Sequence, residues 1–229
     1  MTKRKKKIVV VCAVMLIAAL TVGGTLAYFF DQATATNEFT TAGTNNPDTG
    51  VDIDVVEPDW EEDEAQDSLP GDTIAKNPTV TNNRGNVYVR FIVELQDEDG
   101  STITDKARAD KIMDAIIYSN GAIDTNTSYS YSQIENYPTV NSQFTLDSGR
   151  STAGKYYYNY TANNGIMTNG QSAELFDFVV IPTDWTQTDI AVLGNFNIVV
   201  TAQAIQAENI ANADAAFKAL DNEITKAGQ

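Results

Sequence analysis

Carboxylates are the residues of this chain with the most chemistry to offer. Glu57, Asp59, Glu61, Glu62, Asp63, Glu64 and Asp67 crowd around Trp60. Clustered hard oxygens suit calcium, but the run lacks the ligand spacing and turn glycine of an EF-hand. It reads as a solvated acidic loop in which weak Ca2+ binding would relieve mutual repulsion. Asp97-Glu98-Asp99-Gly100 has a similar composition and fits a hairpin turn after a strand. Two carboxylates can hydrolyse a glycosidic bond, yet nothing singles out a pair among 31 acids. Nucleophilic catalysis lacks its usual base, because the chain has no histidine and its one cysteine is Cys12. Zinc loses its commonest ligand for the same reason. No Gly-x-x-x-x-Gly-Lys loop is present to cradle phosphate. The expectation is a protein that is not an enzyme, with no catalytic, cofactor or metal residues. The tyrosines Tyr129, Tyr131, Tyr156, Tyr157, Tyr158 and Tyr160 can stack on sugars or on neighbouring subunits, but tyrosine is also a good strand former. Trp185 reads as a rim or core aromatic.

The elements that must position these residues are mostly strands. Val87, Val89, Phe91, Val93 and Leu95 alternate with Tyr88, Arg90, Ile92, Glu94 and Gln96. Ala33–Thr41, Val51–Val55 and Phe196–Ala204 show the same period of two, the mark of a strand with one buried face. Leu175–Ile181 is apolar on both faces apart from Asp177, as in a central strand. Thr73–Thr81, Gln143–Asp147 and Lys155–Thr161 are weaker strands. Turn residues punctuate them at Pro70-Gly71-Asp72, Asn83-Arg84-Gly85-Asn86, Asn163-Asn164-Gly165 and Asn169-Gly170. Short strands so spaced predict an all-β fold, a jelly-roll-like antiparallel β-sandwich with one or two short peripheral helices. One helix is expected over Asp105–Tyr118, with Thr104 as its N-cap. The other carries Ile210, Ala213, Phe217, Leu220 and Ile224, capped by Asn209 or Asn212. Asn120–Ser142 reads as loop.

Charge is distributed unevenly. The 229 residues carry 15 basic and 31 acidic side chains, a net −16. Five of the basic ones are Lys3, Arg4, Lys5, Lys6 and Lys7; without them ten basic residues face 31 acidic ones, a net −21. Such a chain repels nucleic acid and anionic lipid and attracts cations. After the basic start comes the apolar run Ile8–Leu20, then small residues ending Thr25-Leu26-Ala27. This is the pattern of a signal peptide at 1–27, cut between Ala27 and Tyr28. A retained anchor helix is the other reading. Against it, Gly23-Gly24 weakens the helix where an anchor should continue, and no second basic cluster follows.

The stretch Gly23-Gly24-Thr25-Leu26-Ala27-Tyr28-Phe29 with Asp31, then Ala33-Thr34-Ala35-Thr36-Asn37 and Phe39, resembles the leader of the TasA/camelysin (CalY) family. Leu69-Pro70-Gly71-Asp72, Pro78-Thr79-Val80-Thr81-Asn82 and Val87-Tyr88-Val89-Arg90 resemble a second block of that family, and the strand Phe196–Ala204 with a helix after it is similar too. The resemblance covers both ends and residues about 69–95. It implies a jelly roll, a leader cut by a SipW-type signal peptidase, and a secreted Gram-positive protein of the extracellular matrix or cell surface. It also implies an N-terminal donor strand at 28–43, ahead of a domain at 44–229, through which copies join into a filament. Phe29, Phe30, Ala33, Ala35 and Phe39 are the candidate assembly residues. The alternation there suits strand addition to a neighbour, and equally suits pairing within one subunit. Other matrix proteins are candidate partners; the membrane is involved only through the uncut leader. Camelysin is grouped with metallopeptidases, but this chain has no His-Glu-x-x-His, so that activity does not carry over. A monomeric surface adhesin binding through Asn120–Ser142 is the alternative to a fibre subunit.

Overall fold

The computed structural model describes residues 30–34, 51–61, 65 and 68–227. Twelve strands lie within them, all paired antiparallel. The largest sheet has the order β1-β12-β5-β8-β7, with β9 also on β5. Its strands are β1 (Phe30–Thr34), β5 (Val87–Gln96), β7 (Phe144–Leu146), β8 (Lys155–Tyr160), β9 (Ile166–Met167) and β12 (Asn197–Gln206). The opposing strands form two sheets of three. One is β10-β4-β2, from Ser172–Glu174, Thr79–Asn82 and Ile53–Val56; the other is β3-β11-β6, from Thr73–Ala75, Phe178–Val180 and Ile116–Ile117. This is the all-β antiparallel sandwich that the alternation predicts.

One core joins the layers. Val87, Val89, Phe91, Val93 and Leu95 of β5 are buried with Val200, Ala202 and Ala204 of β12, and Ile53, Val80, Ala173 and Val179 from the smaller sheets belong to the same cluster. β5 and β12 pair along their full length, from Val87 opposite Gln206 to Gln96 opposite Asn197. That ten-residue ladder is the spine of the molecule.

One expected strand is split in two and another is shortened. Thr73–Thr81 is interrupted at Lys76-Asn77-Pro78, and Leu175–Ile181 yields to a bend at Leu175-Phe176-Asp177. The breaks face each other: Lys76 N–H donates to Asp177 O at 3.1 Å and Leu175 N–H to Pro78 O at 2.9 Å. Pro78 has no N–H to continue a ladder. Asp177 spends its carboxylate on the Ser119 N–H at 2.8 and 2.9 Å and on the Ser119 hydroxyl at 2.7 Å. Polar satisfaction therefore splits the layer where hydrophobicity alone suggests continuity.

The helices also differ from expectation. α1 runs only Lys106–Met113, and its N-cap is Asp105, whose carboxylate accepts the Arg108 N–H, in place of Thr104. Ile116 and Ile117 continue the apolar spacing but form β6, opposite Val179 and Phe178. The loop Asn120–Ser142 contains the single turn α2 (Tyr131–Ile134), and α3 (Gln187–Leu193) follows Trp185. Ile123 and Ile134 pack on Ile117 and Val180, so this loop has a small core of its own. The C-terminal helix α4 (Ala213–Ala227) appears where expected, with Asn212 Oδ1 accepting the Ala215 N–H at 2.9 Å. Among the described residues no helix is long and apolar enough to cross a membrane.

Candidate assembly site

The large sheet ends in β1 on one side and β7 on the other. An edge strand presents a row of free backbone donors and acceptors, which is the physical requirement for adding another strand. β1 lies antiparallel on β12 through five cross-strand pairs: Phe30 with Ile205, Asp31 with Ala204, Gln32 with Gln203, Ala33 with Ala202, and Thr34 with Thr201. Within one chain, then, the N-terminal segment caps the β12 edge. Of the candidate assembly residues, Phe30 and Ala33 lie on this strand. Phe29, Ala35, Phe39 and the Ala27–Tyr28 bond lie outside the described residues, as does the leader.

Register sorts the strand into two phases. Ala33 and Asp31 stand opposite Ala202 and Ala204, which belong to the central core. Phe30 stands opposite Ile205, in the phase of a second cluster formed by Tyr88, Ile205, Ala216, Phe217 and Leu220. That cluster is α4 packed on the outer face of β5 and β12. It explains why Tyr88 and Arg90, expected on the exposed face of β5, are buried.

Beneath the helix lies an ionic network. Arg90 is 1% exposed. Its Nε donates to Gln203 Oε1 at 2.8 Å and its Nη2 to Asp221 Oδ1. Its guanidinium lies 4.8 Å from the Phe217 ring and 5.1 Å from the Tyr157 ring, so aromatic faces share the charge. Asp221 also accepts from Arg150 Nε at 2.9 Å, and Arg150 reaches Asp147 at 2.5 Å and Asp214 at 3.2 Å. Burial pushes the Asp221 carboxyl up, but hydrogen bonds from Arg90 and Arg150 outweigh it and hold the group below the usual carboxylate range. Asp147 is lowered likewise, burial being overcome by Arg150 and Asn159. The one signal for this network in the sequence is a cation, Arg90, in the middle of the otherwise apolar run Val87–Val93; the partner acids are indistinguishable from the other carboxylates.

The remaining candidate groups do not converge. In the acidic run, Glu57 holds Lys76 at 2.8 Å, Asp59 accepts from Asn77 at 2.8 Å, and the Lys76 ammonium sits 4.4 Å from the Trp60 ring. Glu62, Asp63, Glu64 and Asp67 lie outside the described residues. Asp97-Glu98-Asp99-Gly100 forms the turn its composition suggests, Gly100 N–H donating to Asp97 O, and Asp97 pairs with Arg108 at 2.5 Å. The tyrosines of β8 divide between faces: Tyr158 and Tyr160 are buried, whereas Tyr157 lies on Arg90. They make no common stacking surface. Trp185 is buried, with the Lys111 ammonium 3.9 Å from its ring.

A family model described as camelysin metallo-endopeptidase matches residues 2–115. The chain belongs to the camelysin family. Comparison with curated proteins and with solved structures gives no match. The matched span takes in β1 through β5 and α1, hence both the strand that caps the edge and Arg90. The family's description implies a metal. The chain has no histidine, and among the described residues no group of three or more Cys, Asp or Glu is gathered to hold one. The described residues do not fit such a centre.

Proposed function

We propose that this protein is a secreted structural subunit of extracellular matrix fibres, joined head to tail by its N-terminal strand after a leader at 1–27 is removed. The observation that carries the reading is the seat of residues 30–34 on the β12 edge. A strand that caps its own sheet edge can cap the same edge of a second copy, with the same backbone hydrogen bonds. Each copy then gives one strand and receives one. Such a heterologous contact propagates when it does not close, and yields a filament. An uncut leader just ahead of β1 would obstruct the exchange and tie assembly to export. The family match supports the reading as far as family membership goes.

The experiment is N-terminal sequencing of the exported protein, followed by electron microscopy of the same sample and of a version beginning at Thr44. A start at Tyr28 with fibres, and no fibres from the trimmed version, is the expected result. A retained leader, or equal fibres from both forms, overturns it. A second reading, an extracellular metallopeptidase, is favoured by the family's description alone. Casein cleavage abolished by a chelator would support that reading over the first.

A further inference from the structure

The C-terminal helix meets the N-terminal strand across β12. Gln203 and Ile205 stand opposite Gln32 and Phe30 of β1. Both are also tied to the helix side of the sheet. Gln203 accepts from Arg90, which is paired with Asp221 of α4, and Ile205 packs with Phe217 and Leu220 of α4. Thr201, opposite Thr34, is only half-buried and lies outside that cluster. The helix therefore braces the end of the ladder that receives Phe30 and leaves the other end uncovered.

Resting on the strand-addition reading, we propose that α4 is part of the strand-receiving site: clamped by Asp221 to Arg90 and Arg150, it holds Gln203 and Ile205 in place and so fixes the register at which an N-terminal strand is taken. The occupant is residues 30–34 of the same chain or of a second copy. Arg90 and Asp221 are positioning residues in this scheme. Arg90 suits the task because it is pinned from three directions, by Gln203, by Asp221 and by the rings of Phe217 and Tyr157. A buried guanidinium with a fixed fork tolerates little displacement of its partners. Losing the carboxylate would free the helix and, through Gln203, the edge.

The test is residue-by-residue amide exchange on the intact chain carrying Asp221→Ala, with Lys106→Ala as control. Lys106 pairs with Asp110 on the exposed face of α1. The expected result is exchange at least tenfold faster in α4 and at Gln203–Ile205, with Thr201 and the β8 amides as in the wild type and the control unchanged throughout. Faster exchange in α4 with Gln203–Ile205 unaltered overturns the proposal. If Asp221→Ala speeds exchange across the whole sheet, Asp221→Asn decides by the same comparison, and a uniform effect there also overturns it. The measurement needs no fibres. A wild type that never assembles would sink the strand-addition reading while leaving this comparison standing.

Discussion

Gly154 offers a stringent test of the packing. It sits just before β8 at φ +75°. A Cβ there would lie 1.8 Å from the Ile103 carbonyl oxygen and 2.9 Å from its carbon. That carbonyl cannot retreat easily. Ile103 is buried, its N–H donates to Leu95 O at 2.8 Å, and Leu95 N–H donates to Gly154 O at 2.8 Å. Relief requires one backbone to move by roughly 1 Å, since real contacts of this kind rarely fall below ~3 Å. Left-handed backbone costs an alanine about 1–2 kcal/mol, and forced overpacking adds about 1–3 kcal/mol. Gly154→Ala should therefore cost about 2–5 kcal/mol, a large share of the ~5–15 kcal/mol that holds a typical domain. Gly100 separates the two contributions. Its φ is +82°, and a Cβ there meets nothing within 4 Å, so Gly100→Ala should cost only the first ~1–2 kcal/mol. Urea denaturation of both variants and the wild type, compared at constant m-value, reads the difference directly. Equal losses in the two variants would refute the argument that the Gly154 and Ile103 backbones are packed against each other.

The other expectations concern polar groups. Asn82 is fully buried and donates to Gly85 O at 2.9 Å and Met167 O at 3.0 Å, so Asn82→Ala should cost about 2–4 kcal/mol by urea denaturation, two acceptors being stranded. Asp221 and Asp147 have folded pKa values below their unfolded ones, so the stability they contribute is complete above the ordinary carboxylate range and is lost as pH falls through the folded values. Urea midpoints of the wild type should drop more steeply below about pH 4 than those of Asp221→Asn; parallel curves would contradict this. Under the proposed removal of residues 1–27 the net charge is −21, so salt, calcium or acid should raise light scattering from protein beginning at Tyr28, and an unchanged signal counts against charge repulsion as the brake on the proposed assembly.

What can be read from the residues follows from how local the signal is. β5 and β12 are legible because their period-two rows of core residues, Val87 to Leu95 and Val200 to Ala204, have no helical counterpart. The turns at Gly71, Gly85, Gly165 and Gly170 are legible because positive φ selects glycine, and all four have it. Ile116 and Ile117 mislead because two apolar residues extend a helical stripe as well as they make a two-residue strand; pairing with β11, some sixty positions away, decides. The breaks at Lys76-Asn77-Pro78 and Leu175-Phe176-Asp177 are hidden because each is stabilised by the other and by Ser119, contacts remote in sequence. The same remoteness conceals the clamp on α4. Arg90, Arg150, Gln203 and Asp221 come from four separate segments, and only the fold shows which acids meet which cations.

The backbone energetics of β1 bear on the proposed exchange of this strand between copies. Five cross-strand pairs give on the order of five backbone hydrogen bonds, worth about 1 kcal/mol each after exchange with water. Fixing five residues costs about 1–2 kcal/mol apiece. Backbone pairing alone therefore leaves the strand near balance, in contrast to the ten-pair ladder of β5 and β12, whose inward side chains are buried in the central core. The equivalent strand of another copy would make the same backbone bonds, so in the proposed exchange the backbone contribution cancels. The competition is then set by concentration: a strand tethered to its own edge has an effective concentration on the order of millimolar, and a neighbour's strand must match it. Dilute monomer should keep its own cap. Crowding at the point of export, or additional surface buried between copies along a growing filament, would tip the exchange towards the neighbour.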